Sequence, residues 1–271
     1  YEIHERLVGS EMCIRDSASI EAQSYKKEIF DTYVIVKNPN DEVIGYAKDI
    51  NAYVYVDEEQ KSKGDCLDYC IRHILASGRK YDGYIIVDAD CRLDNGFLEN
   101  MNDAMKTGAK VITGRKIAGN YTCGNRGAVN AVTCLNGLIW PIIDELGNRY
   151  KSAVGLTTMP ITTGILICGD LVEEWGGWNY RQTLTEDMEL LRDCACKGIK
   201  TFHYSYARLY LEEAPSHTDT NRRRTRWMTG MVEADRIYCR ELFKRRGLWA
   251  LIDNYYILSL WIVYILSLIH I

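Results

Sequence analysis

The chain has 271 residues, 47% of them hydrophobic and 26% charged, with a formal net charge of −4. This composition excludes intrinsic disorder and gives no overall electrostatic pull toward nucleic acid. Ten cysteines, scattered through apolar or helical surroundings, fit a reducing compartment better than a disulfide scaffold. Cys194, Cys196 and His203 are close in sequence, but no second closely spaced cysteine pair completes a zinc set.

In chain order, the first feature is LVGSEMCIRDS at 7–17. Met12 to Asp16 can be encoded ATG TGT ATA AGA GAC. The reverse complement of those bases, shifted in frame and slightly extended, translates as Leu-Ser-Leu-Ile-His-Ile, which is 266–271. Such an inverted repeat has no folding rationale and resembles a translated sequencing adapter. Residues 1–17 and 266–271 are therefore set aside, and 18–265 is expected to be an internal stretch of a longer protein.

SIEAQSYKKEIF at 19–30 has the spacing of a short amphipathic helix and runs into a β-branched strand candidate, TYVIVK. NAYVYVD is a second strand candidate, GDCLDYCIRHILASG a helix closed by Gly78, and YDGYIIVDAD a third strand. AKVITGR, GILICG and KTFHYSYARLY supply further strands; TEDMELLRDCACKG and TNRRRTRWMTGMVEADRIYCRELF supply further helices. Strands alternating with helices predict a mostly parallel α/β sheet flanked by helices. With no linker or repeat, 18–246 reads as one domain. The basic FKRRG then precedes LWALIDNYYILSLWIVYI, and basic residues before an apolar segment mark a cytoplasmic side. Eleven natural residues, 255–265, span only about 17 Å as a helix against a hydrocarbon core of about 30 Å. The segment 247–265 is therefore expected to be an interfacial or truncated transmembrane helix, the alternative being a buried terminal helix.

Three clusters carry chemistry. YIIVDAD places Asp88 and Asp90 at the carboxyl end of a buried strand, where open α/β sheets bind ligands. Two carboxylates so spaced can hold a hard divalent cation; the alternative is a polar exit from the strand. TLTEDMELL sets Glu186 and Asp187 at a helix head, where acids are favoured by the free N–H groups, or where Asp187 can act as a general base. NRRRTRWMTG puts Arg223, Arg226 and Trp227 within about one helical turn, either as a solvated basic face or as a seat for a pyrophosphate with a sugar stacked on the indole.

Taken in order, strand-plus-DAD, GGW…TEDMEL and RRTRW before an apolar helix resemble glycosyltransferase family 2. The branch that fits is the membrane-bound one related to cellulose, chitin, hyaluronan and poly-N-acetylglucosamine synthases. The resemblance implies a GT-A-like fold and an inverting transferase that moves a sugar from a nucleotide-diphosphate sugar, a UDP-sugar, to a saccharide acceptor in cell-surface polysaccharide synthesis. Asp88 and Asp90 would hold Mg2+ or Mn2+ and the donor, with Lys63 of KSKGDCLD and Arg226 also on the donor. Asp187 would be the catalytic base, and Thr163, Gly164, Glu186, Arg223 and Trp227 would face the acceptor. The partners implied are the nucleotide sugar, a saccharide or lipid-linked acceptor and the cell membrane, with the catalytic domain facing the cytoplasm. Arg223 stands where the family's Gln-x-x-Arg-Trp motif has glutamine, Lys37 stands where a uracil-binding aspartate is usual, and the family's first strand is not present. Single-sugar transfer to a lipid and a non-catalytic nucleotide-sugar-binding scaffold are the alternatives.

Overall fold

The computed structural model describes residues 18–122 and 128–269, with side chains described as far as Asn254. Residues 1–17, which carry the adapter-like stretch, lie outside this range, as do 270–271. β1 (Tyr33–Val36) and β2 (Tyr53–Val56) pair in parallel through the crossover helix α1 (Val43–Asp49), and Tyr33 stacks on Tyr53. α2 (Lys63–Ala76) buries Leu67, Cys70, Ile71 and Ile74 at helical spacing, and Gly78 leaves it in a left-handed conformation. β3 (Gly83–Ile86), β4 (Cys91–Leu93), α3 (Phe97–Met105) and β5 (Val111–Ala118) follow. A helical run comprises α4 (Ala131–Gly137), α5 (Ile139–Pro141), a π-helical stretch Ile142–Asn148 and α6 (Arg149–Ala153). β6 (Ile165–Cys168), α7 (Gly169–Trp175), α8 (Glu186–Lys197), β7 (Thr201–Leu211) and α9 (His217–Ile269) complete the described chain.

The main sheet has the order β3-β6-β5-β7-β4. It is mixed, not mostly parallel: only β5 and β7 run together, and the other three pairings are antiparallel. The direction of β6 was illegible because ILIC is buried throughout, and a strand covered on both faces is continuously apolar whichever way it runs. Successive residues point to opposite faces. Val111, Ile165 and Ile167 thus join the core under α2 and α8, while Ile112 and Leu166 join the core with Phe97 and Met101 of α3.

Two further expectations are corrected. Residues 19–30 do not form one amphipathic helix; a helical turn covers 18–21 and a separate 3₁₀ turn covers Lys27–Ile29. The Gln23 amide donates to the Ser19 and Asp94 carbonyls and accepts from the Leu98 N–H, and the Ser24 N–H goes to the Asn95 carbonyl. The bonds to Asp94, Asn95 and Leu98 are long-range and keep the helical turn from continuing. Among the described residues no helix is long and apolar enough to cross a membrane, so the expected transmembrane helix is not found there. The described side chains of α9 are heavily charged, Gly247 (φ 77°, ψ −174°) breaks the helix, and the side chains of 255–265 lie outside the described residues.

Close backbone approach at Gly169 joins β3 to β6 and α7. A Cβ there would stand 1.8 Å from the Tyr81 carbonyl oxygen, whereas nothing lies within 4 Å of a Cβ at Gly45 inside α1. Gly169→Ala is expected to lower stability by about 1–3 kcal/mol and Gly45→Ala to raise it by about 0.5–1 kcal/mol. Urea unfolding of the two variants gives both signs.

Candidate active site

The site begins where β3 ends. The chain turns after Ile86, and the Cys91 N–H closes on the Asp88 carbonyl at 3.1 Å. The Asp88 N–H donates to Thr163 Oγ1 at 3.1 Å, and that buried hydroxyl lies 3.2 Å from Cys91 Sγ. Gly164 sits beside this clip at φ 70°, where a Cβ would fall 2.5 Å from Leu209 Cδ2; only glycine fits both the angle and the space. Thr163 and Gly164 thus shape the Asp-x-Asp turn from below. The preceding Thr162 reaches the other half of the site, its hydroxyl donating to Glu186 Oε1 at 2.9 Å and its backbone bonding Asp187.

Lys63 joins the two halves. It opens α2, whose first turn is capped by Ser62 accepting from the Asp65 N–H at 3.1 Å. Its ammonium donates to Asp88 Oδ1 and lies 3.3 Å from Glu186 Oε1. The next residue must be glycine, because a Cβ at Gly64 would meet the Tyr180 carbonyl oxygen at 2.4 Å. Desolvation disfavours the charged amine, but Asp88, Glu186 and Asp187 together hold Lys63 above the ordinary lysine range.

Asp187 stands in the first turn of α8. Burial, and then the charge of Glu186, push its carboxyl up to about 7, while Lys63 and the Met188 and Thr162 N–H groups pull it down. Asp90 is also raised, by burial and by Asp88, with Arg223 among the groups opposing the shift. Arg223 therefore lies within electrostatic reach of Asp90. It is seated by Glu213 Oε2 at 3.8 Å, and the other oxygen of Glu213 accepts from the Trp140 indole at 2.5 Å. Trp227 packs edge-on against Trp140, ring centroids 6.3 Å apart, and Arg226 is exposed on the same helix. A Cβ at Gly230 would lie 2.7 Å from the Thr185 nitrogen, so α9 is pressed against the head of α8. Lys37, at the end of β1, donates to the Gln60 carbonyl.

Donor atoms of Asp88, Asp90 and Cys91 lie within 4.8 Å of one another. Burial pushes the Cys91 thiol well above its ordinary value, leaving a protonated, soft group. The two carboxylates are the donors suited to Mg2+ or Mn2+. Thr162, Gly64, Glu213, Trp140 and Gly230 had no local signal in the sequence, since each acts on a partner far away in the chain. Lys116 is another such residue. It is fully buried on β5, donates to Thr113 Oγ1 and the Gly114 carbonyl and lies 3.7 Å from Asp144. The adjacent His203 is lowered to about 4 by burial, which keeps it neutral.

A family model described as glycosyl transferase family group 2 matches residues 84–271. Among solved structures, the chain is similar to the mannosyltransferase PcManGT from Pyrobaculum calidifontis in complex with GDP-Man and Mn2+. The TM-score is 0.60 at 14% identity, covering 92% of this chain and 66% of that one. It is also similar to S. aureus TarS 1–349 in complex with UDP-GlcNAc, with a TM-score of 0.57 at 12% identity, covering 88% of this chain and 64% of that one. The likeness shows a GT-A-like α/β fold, and the chain spans slightly less than two thirds of either structure. No curated protein matches it.

The raised carboxyl of Asp187 has a thermodynamic consequence. Its proton is held more tightly in the folded chain, with a midpoint of about 7, than in the unfolded one, near 3.9. Its contribution to stability is therefore present below about pH 4 and is lost as pH rises to about 7. Asp187→Asn should raise the melting temperature by a few °C at about pH 8 and give no gain at about pH 4. Equal melting temperatures at both pH values would contradict the assignment.

Proposed function

The chain belongs to glycosyl transferase family group 2, and on that premise we propose that it transfers a sugar with inversion from a nucleotide-diphosphate sugar to a hydroxyl of a saccharide acceptor. The observation that carries this reading is Lys63 standing between Asp88 and Glu186, which brings an Asp-x-Asp turn and a raised aspartate at a helix head into one cleft.

Asp88 and Asp90 would hold Mg2+ or Mn2+, which supplies charge neutralisation at the departing diphosphate. Lys63 adds a positive charge on the same side, its ammonium fixed by two carboxylates. Arg223 and Arg226 give α9 two guanidinium groups, suited to a diphosphate because the planar fork accepts paired oxygens. Asp187 takes the proton of the attacking hydroxyl. A carboxylate with a midpoint of about 7 is a stronger base than an ordinary aspartate yet remains about half ionised at neutral pH. One displacement by the acceptor oxygen on the face opposite the leaving diphosphate inverts the anomeric carbon. Trp227, braced by Trp140, offers an indole on which an acceptor ring can stack. Glu186, held by Thr162 and Lys63, fixes the orientation of the neighbouring base. A UDP-sugar donor and a role in cell-surface polysaccharide synthesis complete the reading; they rest on the ordered motif set.

The test is release of nucleoside diphosphate from UDP- and GDP-sugars with saccharide acceptors, together with nucleotide affinity by calorimetry. Asp187→Asn should lower turnover by about 10²–10⁴-fold with nucleotide affinity within a few-fold of the parent. Chelation with EDTA should abolish turnover in the parent. Undiminished transfer by Asp187→Asn would assign the base elsewhere.

A further inference from the structure

From Ala131 to Ala153 the backbone is helical without a break, since the junction residues Leu138, Pro141, Ile142, Asn148 and Arg149 all hold right-handed helical angles. A helix on a protein surface ordinarily turns its apolar side inward. This one is reversed. Apart from Trp140, which joins the core with Ile139 packed beside it, its buried face is polar, carrying Thr133, Asn136, Asp144, Asn148 and Lys151, each 7% exposed or less. These side chains are engaged from within the fold: Asn136 donates to the Ala214 carbonyl, Asp144 accepts from the Lys116 N–H, Asn148 donates to the Met159 carbonyl and Lys151 to the Thr157 carbonyl. Leu135, Leu138, Ile142, Leu146, Tyr150 and the following Val154 point outward, 51–73% exposed.

Five of these six are four residues apart. In an α-helix of about 3.6 residues per turn that spacing drifts around the axis, but the wider π-helical turns of Ile142–Asn148 match it more closely. The stripe thus stays on one side. A second apolar surface adjoins it. Beyond the break at Gly247, α9 exposes Leu248, Trp249 and Ile252. Lys151 donates to the Asp253 carbonyl at 2.6 Å and to its Oδ1 at 3.2 Å, and the Thr157 N–H donates to Asp253 Oδ2 at 3.0 Å. These bonds fasten the α9 segment to the end of the helical run, so the two sets of exposed apolar residues make up one patch on neighbouring elements.

We propose that this patch seats the protein on the surface of an anionic lipid bilayer. Three observations favour lipid over a protein partner. Arg240, Lys244, Arg245 and Arg246 lie next to the patch in sequence, with Glu241 the only acid among them, and such basic clusters are drawn to anionic headgroups. Tyr150 and Trp249, both exposed, are the residue types that settle at a membrane interface. The sequence from 255 to 265 carries no charge. The arrangement is that of an interfacial helix, apolar toward the acyl boundary and polar away from it, with the rest of the domain packed on the polar side. It stands apart from the transferase reading, because its readout is lipid binding.

The experiment is flotation of the 271-residue chain with vesicles of phosphatidylcholine containing roughly a third phosphatidylglycerol. The parent chain should float with the vesicles, less so as salt is raised. The double variant Leu138→Glu/Leu146→Glu should lose bound fraction by about tenfold or more, with unchanged circular dichroism and melting temperature. Ile142→Ser/Tyr150→Ser should show a smaller loss in the same direction and guards against misfolding of the first variant. Flotation of the double variant equal to that of the parent would overturn the proposal, placing lipid contact on 255–265 alone. So would absence of binding by the parent, or a dimer in sedimentation that the double variant abolishes, which would make a second copy the cover.

Discussion

The ammonium of Lys63, lodged between Asp88 and Glu186 with Asp187 beside it, is the constraint on which the site depends. Four carboxylates, those of Asp88, Asp90, Glu186 and Asp187, converge from a strand end and a helix head, and without a cation among them their repulsion would force protonation or separation. The surrounding structure serves that placement. Ser62 caps the helix that carries Lys63, and Gly64 lets the helix end touch the Tyr180 backbone. Thr162 and Thr163, adjacent in sequence, bond Glu186 and Asp88 respectively. Gly230 lets α9 close on the head of α8, and the charge of Arg223 on α9 is felt at Asp90.

A second, fully buried polar cluster underlies the first. Lys116, Asp144 and His203 have no exposed side-chain surface, and the charge of Asp187 is felt at Lys116. Breaking one partner of such a pair leaves an uncompensated charge in the interior, so the cluster ties β5 and β7 to the π-helical stretch that bears Asp144. The same stretch turns its apolar residues outward. Polar anchoring inside and an apolar stripe outside are therefore two faces of one element.

Much of the site was legible because its chemistry lies at the ends of strongly patterned elements. The apolar run YIIV stops abruptly at Asp88, and MELL continues from Glu186 and Asp187, so period and composition locate both. Arg223 and Trp227 share a helix face by spacing alone. What seats them was not legible: Glu213, Trp140 and Gly230 act across roughly 10 to 90 residues of chain, and nothing local distinguishes them. Strand direction was likewise hidden, because ILIC is equally apolar from either end. Residues 19–30 have helical spacing, yet tertiary bonds from Gln23 and Ser24 override it. The helical run 131–153 was not read from the sequence, and its polar buried side follows from distant partners such as Lys116 and Ala214.

The electrostatic coupling of Lys63 to Asp187 can be measured directly by carbon-13 NMR titration of the Asp187 carboxyl in the parent chain and in Lys63→Met. The parent midpoint should lie at about 7, and loss of the ammonium should move it higher, because Lys63 favours the ionised form. A midpoint that stays in place or falls in Lys63→Met would contradict the account, since Lys63 would then not be the cation that holds these acids together.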